Sequence, residues 1–163
     1  MSKMDQIISK GTRPAFASVV FSINECISGF DTLSIIDKLH RKISGFDIKQ
    51  RHKFFSELGL FIDPEIDIGV LLGMVRDCFC VRLANLADKR KDVHSLRKYF
   101  KGKIIDDLFK HPIVCECISA RNNNIAHLGK RYIKWPESED ITRAKDLRLI
   151  LEMIKVSVMS LKK

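Results

Sequence analysis

Along most of the chain, apolar residues recur three and four positions apart, the spacing that gathers them on one face of a helix. Pro14 suits the first position of a helix, and Phe16, Val19, Val20, Ile23 and Ile27 follow it at helical spacing. Gly29 marks a break or kink. Leu33, Ile36, Leu39 and Ile43 predict a second helix over residues 31–44, with Gly45 near its end. The segment 46–64 is mixed and holds a short helix around 49–58. Asp63 fits an N-cap and Pro64 the position after it. From there to Leu86 runs a strongly apolar stripe of Ile68, Leu71, Leu72, Val75, Phe79, Leu83 and Leu86, which predicts a central helix. The run DKRKD, residues 88–92, reads as a loop, and Ser95 as the cap of a short helix through Phe100. A further helix is expected over 104–127, kinked or restarted at His111-Pro112. After the loop GKRYIKWPESED, the residues Leu147, Ile150, Leu151, Ile154 and Val158 predict a C-terminal helix from Ile141 to Leu161. No stretch alternates as a strand would. The expected fold is one all-α domain over residues 1–163, a bundle whose first residues, 1–13, are flexible.

Composition adds limits. The hydrophobic fraction is 45%, enough to build a core. No apolar run approaches the roughly 20 residues of a membrane span, and the opening MSKMDQIISKGTRP lacks the apolar centre of a signal peptide. These features predict a cytoplasmic chain with no membrane association. Of five cysteines, four form two C-x-C pairs, Cys78/Cys80 and Cys115/Cys117, inside runs that read as helix. Residues i and i+2 of a helix point about 200° apart, so neither pair chelates one ion. The expectation is buried, reduced thiols, no metal and no other cofactor.

Charge changes the picture more. The chain has 29 Lys and Arg against 20 Asp and Glu, a net +9. The stretch DKRKDVHSLRKYFKGK, residues 88–103, carries Lys89, Arg90, Lys91, Arg97 and Lys98 among its basic side chains and only two acids. Residues 121–134 add Arg121, Lys130, Arg131 and Lys134 with no acid. A solvated surface accounts for such charge, and so does a polyanionic partner such as RNA.

The second basic region also holds chemistry. SARNNNIAHLGKRY, residues 119–132, sets an arginine and a histidine around three asparagines. RNA cleaves itself when its 2′-hydroxyl is deprotonated and the charge gathering on phosphorus is stabilised. Histidine titrates near neutrality and can move that proton. Arginine offers forked donors to phosphate oxygens. A neutral asparagine can orient either group. One regular helix would turn Arg121 and His127 about 240° apart, so sharing a site requires an irregular helix, which the asparagines favour, or two chains meeting at a twofold axis.

These residues resemble the HEPN superfamily, in which an arginine, a polar residue and then a histidine stand near the end of an all-helical domain. Here the pattern reads Arg121-Asn122-Asn123-Asn124-Ile125-Ala126-His127. A second stretch, RLANLADKRKDVHSLRKYF over residues 82–100, is similar to the helix end, Asp-containing loop and SLR helix of the subfamily named after U-type abortive-infection proteins. The resemblance implies a bundle of about five to seven helices that dimerises through its motif helices. It also implies metal-independent cleavage of RNA, and a role in phage defence or a toxin–antitoxin pair with a partner protein. It assigns Arg121 and His127 as catalytic, Asn122 as their polar support, and Asp88 as the subfamily's acidic position. The toxin group that pairs with a nucleotidyltransferase places four residues between Arg and His and a tyrosine two past the His. This chain departs from that pattern, since five residues separate Arg121 from His127 and the next tyrosine is Tyr132.

The remaining candidates have plainer readings. His94, His40 and His52 suit a solvated surface, and His111 a helix start. Trp135 suits packing against the last helix better than stacking on a base. Arg76 and Arg82 stand on the apolar central helix, where an arginine needs a partner or a site. Either could line a cleft near His127, with Asp77 and Asp88 as partners.

Overall fold

The structure is a computed structural model and describes residues 8–9, 13–59, 63, 67–88, 95–124 and 133–160. Val19, Ile23, Cys26, Phe30 and Leu33 lie on one buried stripe of a single helix, α1 (Arg13–Ile43). Two helices parted at Gly29 were expected, but the chain runs through that glycine without a break. The reason is tertiary. A Cβ at residue 29 would stand 3.2 Å from Cδ2 of Phe79, so glycine lets α1 close on the central helix.

That central helix is α3 (Ile68–Leu86), reached through α2 (Ile48–Glu57). Asp47 and Gln50 form a capping box at the start of α2. Asp67, rather than Asp63, caps α3, its carboxylate accepting from the Gly69 amide at 2.8 Å. Pro64 lies outside the described residues. The end of α3 at Leu86 is the one the apolar stripe predicts.

Ser95 stands at the N-cap of α4 (Leu96–Tyr99), but its hydroxyl makes no capping bond. Next come α5 (Lys103–Lys110) and α6 (Pro112–Asn124). The restart at His111-Pro112 is as expected: His111 is extended, as a residue before proline must be. The expected continuation to residue 127 lies outside the described residues. The final helical run divides at Ala144 into α7 (Ser138–Arg143) and α8 (Lys145–Ser160). Two strands, β1 (Ile8–Ser9) and β2 (Phe100–Lys101), pair antiparallel over two residues each, too short to give a sequence signal.

Among the described residues there are eight helices, and the fold is an all-α bundle. Leu147, Leu151, Ile154 and Val158 of α8 and Val114, Cys117 and Ala120 of α6 bury against α1 and α3 in one core. Each fully buried Leu, Ile or Phe is worth about 1.5–3 kcal/mol. Ile43, Phe55 and Ile68 form a smaller core under α2. Over Ala17–Ile43, α1 is long and apolar enough to cross a membrane by length and composition. That span was not evident in the sequence reading; in the fold, its stripe serves the bundle core.

Candidate functional site

The last turn of α3 and the last turn of α6 end side by side. Cys80 and Cys117 meet across this pair of helices, and one step further on the apolar contact gives way to polar side chains. Arg121 is buried there at 7% exposure. Its Nη1 donates to Asn85 Oδ1 at 2.8 Å and lies 2.9 Å from Asp88 Oδ2. Its Nη2 and Nε donate to Asn122 Oδ1 at 2.8 and 3.2 Å. Asp88 is itself 3% exposed. A buried carboxylate and a buried guanidinium thus neutralise each other, while two amide oxygens take the remaining edges. Removing one member would leave a charge in the core without its partner.

The asparagine run divides three tasks. Asn122 braces Arg121. Asn123 donates to Ser119 O at 2.7 Å, a bond back along its own helix. Asn124 donates to Ile133 O at 2.6 Å and accepts from Ile133 N at 2.9 Å. This two-way clasp ties the end of α6 to the start of the segment that leads to α7. It fixes the two ends between which the sequence places His127, Lys130 and Arg131.

Of the residues singled out from sequence, the structure brings together Asp88, Arg121 and Asn122. Lys89, Arg90, Lys91, His127, Lys130 and Arg131 lie outside the described residues, as do His94 and Tyr132. Arg82 pairs with Glu25 of α1. Arg97 pairs with Asp106 at 3.3 Å and stacks over the Phe109 ring at 4.1 Å, while Lys98 is exposed on α4. Arg76 pairs with Asp77 at 2.8 Å. Trp135 is buried in the core. His111 is buried too, facing Asp146 at 3.4 Å.

Asn85 escaped the sequence reading. Its signal was present: a polar residue on the last turn of a mostly apolar helix, three positions before Asp88, can lie on the same side as that residue.

The cysteines follow the helical arithmetic. In each C-x-C pair one thiol is exposed, Cys78 or Cys115, and the other buried, Cys80 or Cys117. The expectation that all would be buried is corrected for the exposed two. Burial pushes the Cys26 thiol up to about 12. Its hydrogen bond with Cys80, then burial, pushes Cys117 far above the usual thiol range. Among the described residues no group of three or more His, Cys, Asp or Glu side chains is set to hold a metal ion.

Compared with family models, curated proteins and solved structures, the chain matches none.

Proposed function

We propose that this chain is a metal-independent endoribonuclease of the HEPN type, working as a cytoplasmic homodimer in abortive infection or a toxin–antitoxin pair. One observation supports the reading most. The two stretches that carry the resemblance, 82–100 and 119–132, lie apart in sequence, and their acidic and basic members form one buried ion pair, Asp88 with Arg121. On this reading His127 takes the 2′-hydroxyl proton, Arg121 stabilises charge on phosphorus, and Asn122 and Asn85 hold the guanidinium at a fixed angle. Lys89, Arg90, Lys91, Arg97, Lys98, Lys130 and Arg131 supply a basic rim for the RNA backbone.

A second reading has its own observation. Every nitrogen of the Arg121 guanidinium already has a partner within the chain. An arginine so engaged suits a catalytically silent RNA- or nucleotide-binding subunit, or a scaffold in a defence complex. Incubation in EDTA with a mixed-sequence RNA and with its 2′-O-methyl analogue separates the readings. The ribonuclease cuts only the first. A subunit that binds both and cuts neither fits the second reading, and cleavage of the methylated analogue contradicts the proposed chemistry.

A further inference from the structure

We propose that Asn85 contacts the RNA phosphate directly, through the amide nitrogen that its bond to Arg121 leaves turned outward. The ligand rests on the ribonuclease reading; the contact itself does not require cutting, and the two are measured separately below.

The need for another donor comes from Arg121. Its side chain is buried, and the buried Asp88 beside it balances its charge. Its Nη1 is spent on Asn85 and Asp88, and its Nε and Nη2 on the one oxygen of Asn122. A guanidinium so engaged has little left to donate. Its charge still acts on a phosphate laid over the site, but the phosphate oxygens need N–H groups from elsewhere.

Asn85 can supply them. It is exposed on the last turn of α3, while the guanidinium it meets is buried. Arginine carries donors and no acceptor, so the carboxamide atom that faces it must be the oxygen. Nδ2 is then turned off the guanidinium, whose N–H groups repel its own. Among the described residues Nδ2 has no hydrogen-bond partner.

An exposed asparagine is ordinarily a solvated side chain free to change rotamer. Asn85 is held instead by a 2.8 Å bond to a residue 36 positions away on another helix. The hold is mutual: each side chain fixes the other. A donor ordered before the ligand arrives pays less to bind it, and donors fixed in advance are the ones that stabilise charge as it develops.

The residue type fits both tasks. A lysine or arginine here would stand against the Arg121 guanidinium. An aspartate would hold Arg121 and repel a phosphate. Asparagine accepts from the arginine with one atom and donates to an anion with the other. To a cation, its outward end offers only N–H. The place fits too, since the stretch that carries His127 leaves this same end of α6, beyond the clasp of Asn124 on Ile133.

The test is the order of two substitutions. Asn85→Asp keeps the oxygen that Arg121 needs and removes the outward N–H groups. Asn85→Ala removes both. Affinity is measured for a mixed-sequence 2′-O-methyl RNA, which cannot be cut through its 2′-hydroxyl, and cleavage is measured on the unmodified RNA. Asn85→Ala should weaken binding about tenfold, the loss of one hydrogen bond to a charged group. Asn85→Asp should weaken it further, while its urea unfolding midpoint stays that of the wild type. Cys78→Asp adds the same charge about two turns earlier on the exposed side of α3, and should stay within about twofold of the wild type, its charge lying about a screening length away. A side chain that only holds Arg121 gives the opposite order, with Asn85→Asp binding like the wild type and Asn85→Ala weaker. That order would overturn the proposal and leave the ribonuclease reading standing. So would equal binding by all variants, or a loss in Cys78→Asp as large as in Asn85→Asp. The expected order in a chain that cuts no RNA would support the contact and remove the ribonuclease reading. No binding of the RNA by the wild type at micromolar concentration would overturn both.

Discussion

Asp88 Oδ2 and Arg121 Nη1 stand 2.9 Å apart, both side chains buried, where α3 and α6 end. Burial makes this pair unlike the surface ion pairs of the chain. Breaking a buried pair by removing one partner costs about 3–5 kcal/mol, because the other charge stays behind. Asp88→Asn and Arg121→Ala should each lower unfolding free energy by about that amount in urea titrations. The double variant Asp88→Asn, Arg121→Met should lose less than the sum of the single changes. Losses under about 1 kcal/mol would show that the pair is not buried in solution.

This cost bears on how the chemistry is tested. An inactive Arg121→Ala protein mixes lost stability with lost chemistry. Asn122→Ala is milder on both counts, since it removes only a neutral acceptor.

How far sequence led can be judged from single residues. The stripe of Leu147, Leu151, Ile154 and Val158 and the end of α3 at Leu86 were legible, because burial of one helix face repeats along the chain. Gly29 misled, because glycine's meaning there depends on Phe79 of another helix. Asp63 fits a cap because Pro64 follows it, yet the cap falls at Asp67, where the backbone turns into α3. Asp88 and Arg121 were both singled out, but not as a buried pair, since sequence spacing carries no distance between α3 and α6.

The thiols offer a check on the packing of α1, α3 and α6. Cys78 and Cys115 are exposed; Cys26, Cys80 and Cys117 are buried. With Cys26 at about 12, its thiolate is scarce at pH 8. An aromatic disulfide reagent should therefore react quickly with two thiols in the native chain and with all five only after denaturation. Three fast thiols would mean that the core is less closed than described.

Asp31 links α1 to α8 through a forked contact with Arg148, at 2.7 and 3.1 Å. The hydrogen bond from Arg148 holds the Asp31 carboxyl below its ordinary value of 3.8. A depressed folded pKa gives stability that is present above the unfolded value and is lost as pH falls through the folded one. The contribution is small, because the pair is well exposed to solvent. Asp31→Asn should lower the thermal midpoint slightly at neutral pH, and the difference should shrink only as pH falls below the ordinary carboxyl value and the folded carboxyl takes up its proton. A difference that persists unchanged at pH 2 would place the effect elsewhere.

The basic rim makes a claim of its own. Reversing the charge of Lys89, Arg90 and Lys91 should weaken RNA binding about equally for unrelated sequences. It should also flatten the dependence of affinity on salt, because fewer counterions are released. Unchanged titrations at several salt concentrations would reduce these side chains to a solubility surface.

The central claim is that Arg121 and His127 cut RNA through its 2′-hydroxyl. The most direct measurement compares the purified chain with His127→Ala on a mixed-sequence RNA in EDTA, with the product ends mapped. The wild type should leave cyclic phosphates and 5′-hydroxyls. His127→Ala should bind the RNA with the same affinity and cut at least about 10²–10⁴-fold more slowly, the usual contribution of a general acid or base. The same cleavage by both proteins, or bound and intact RNA with both, would contradict the account.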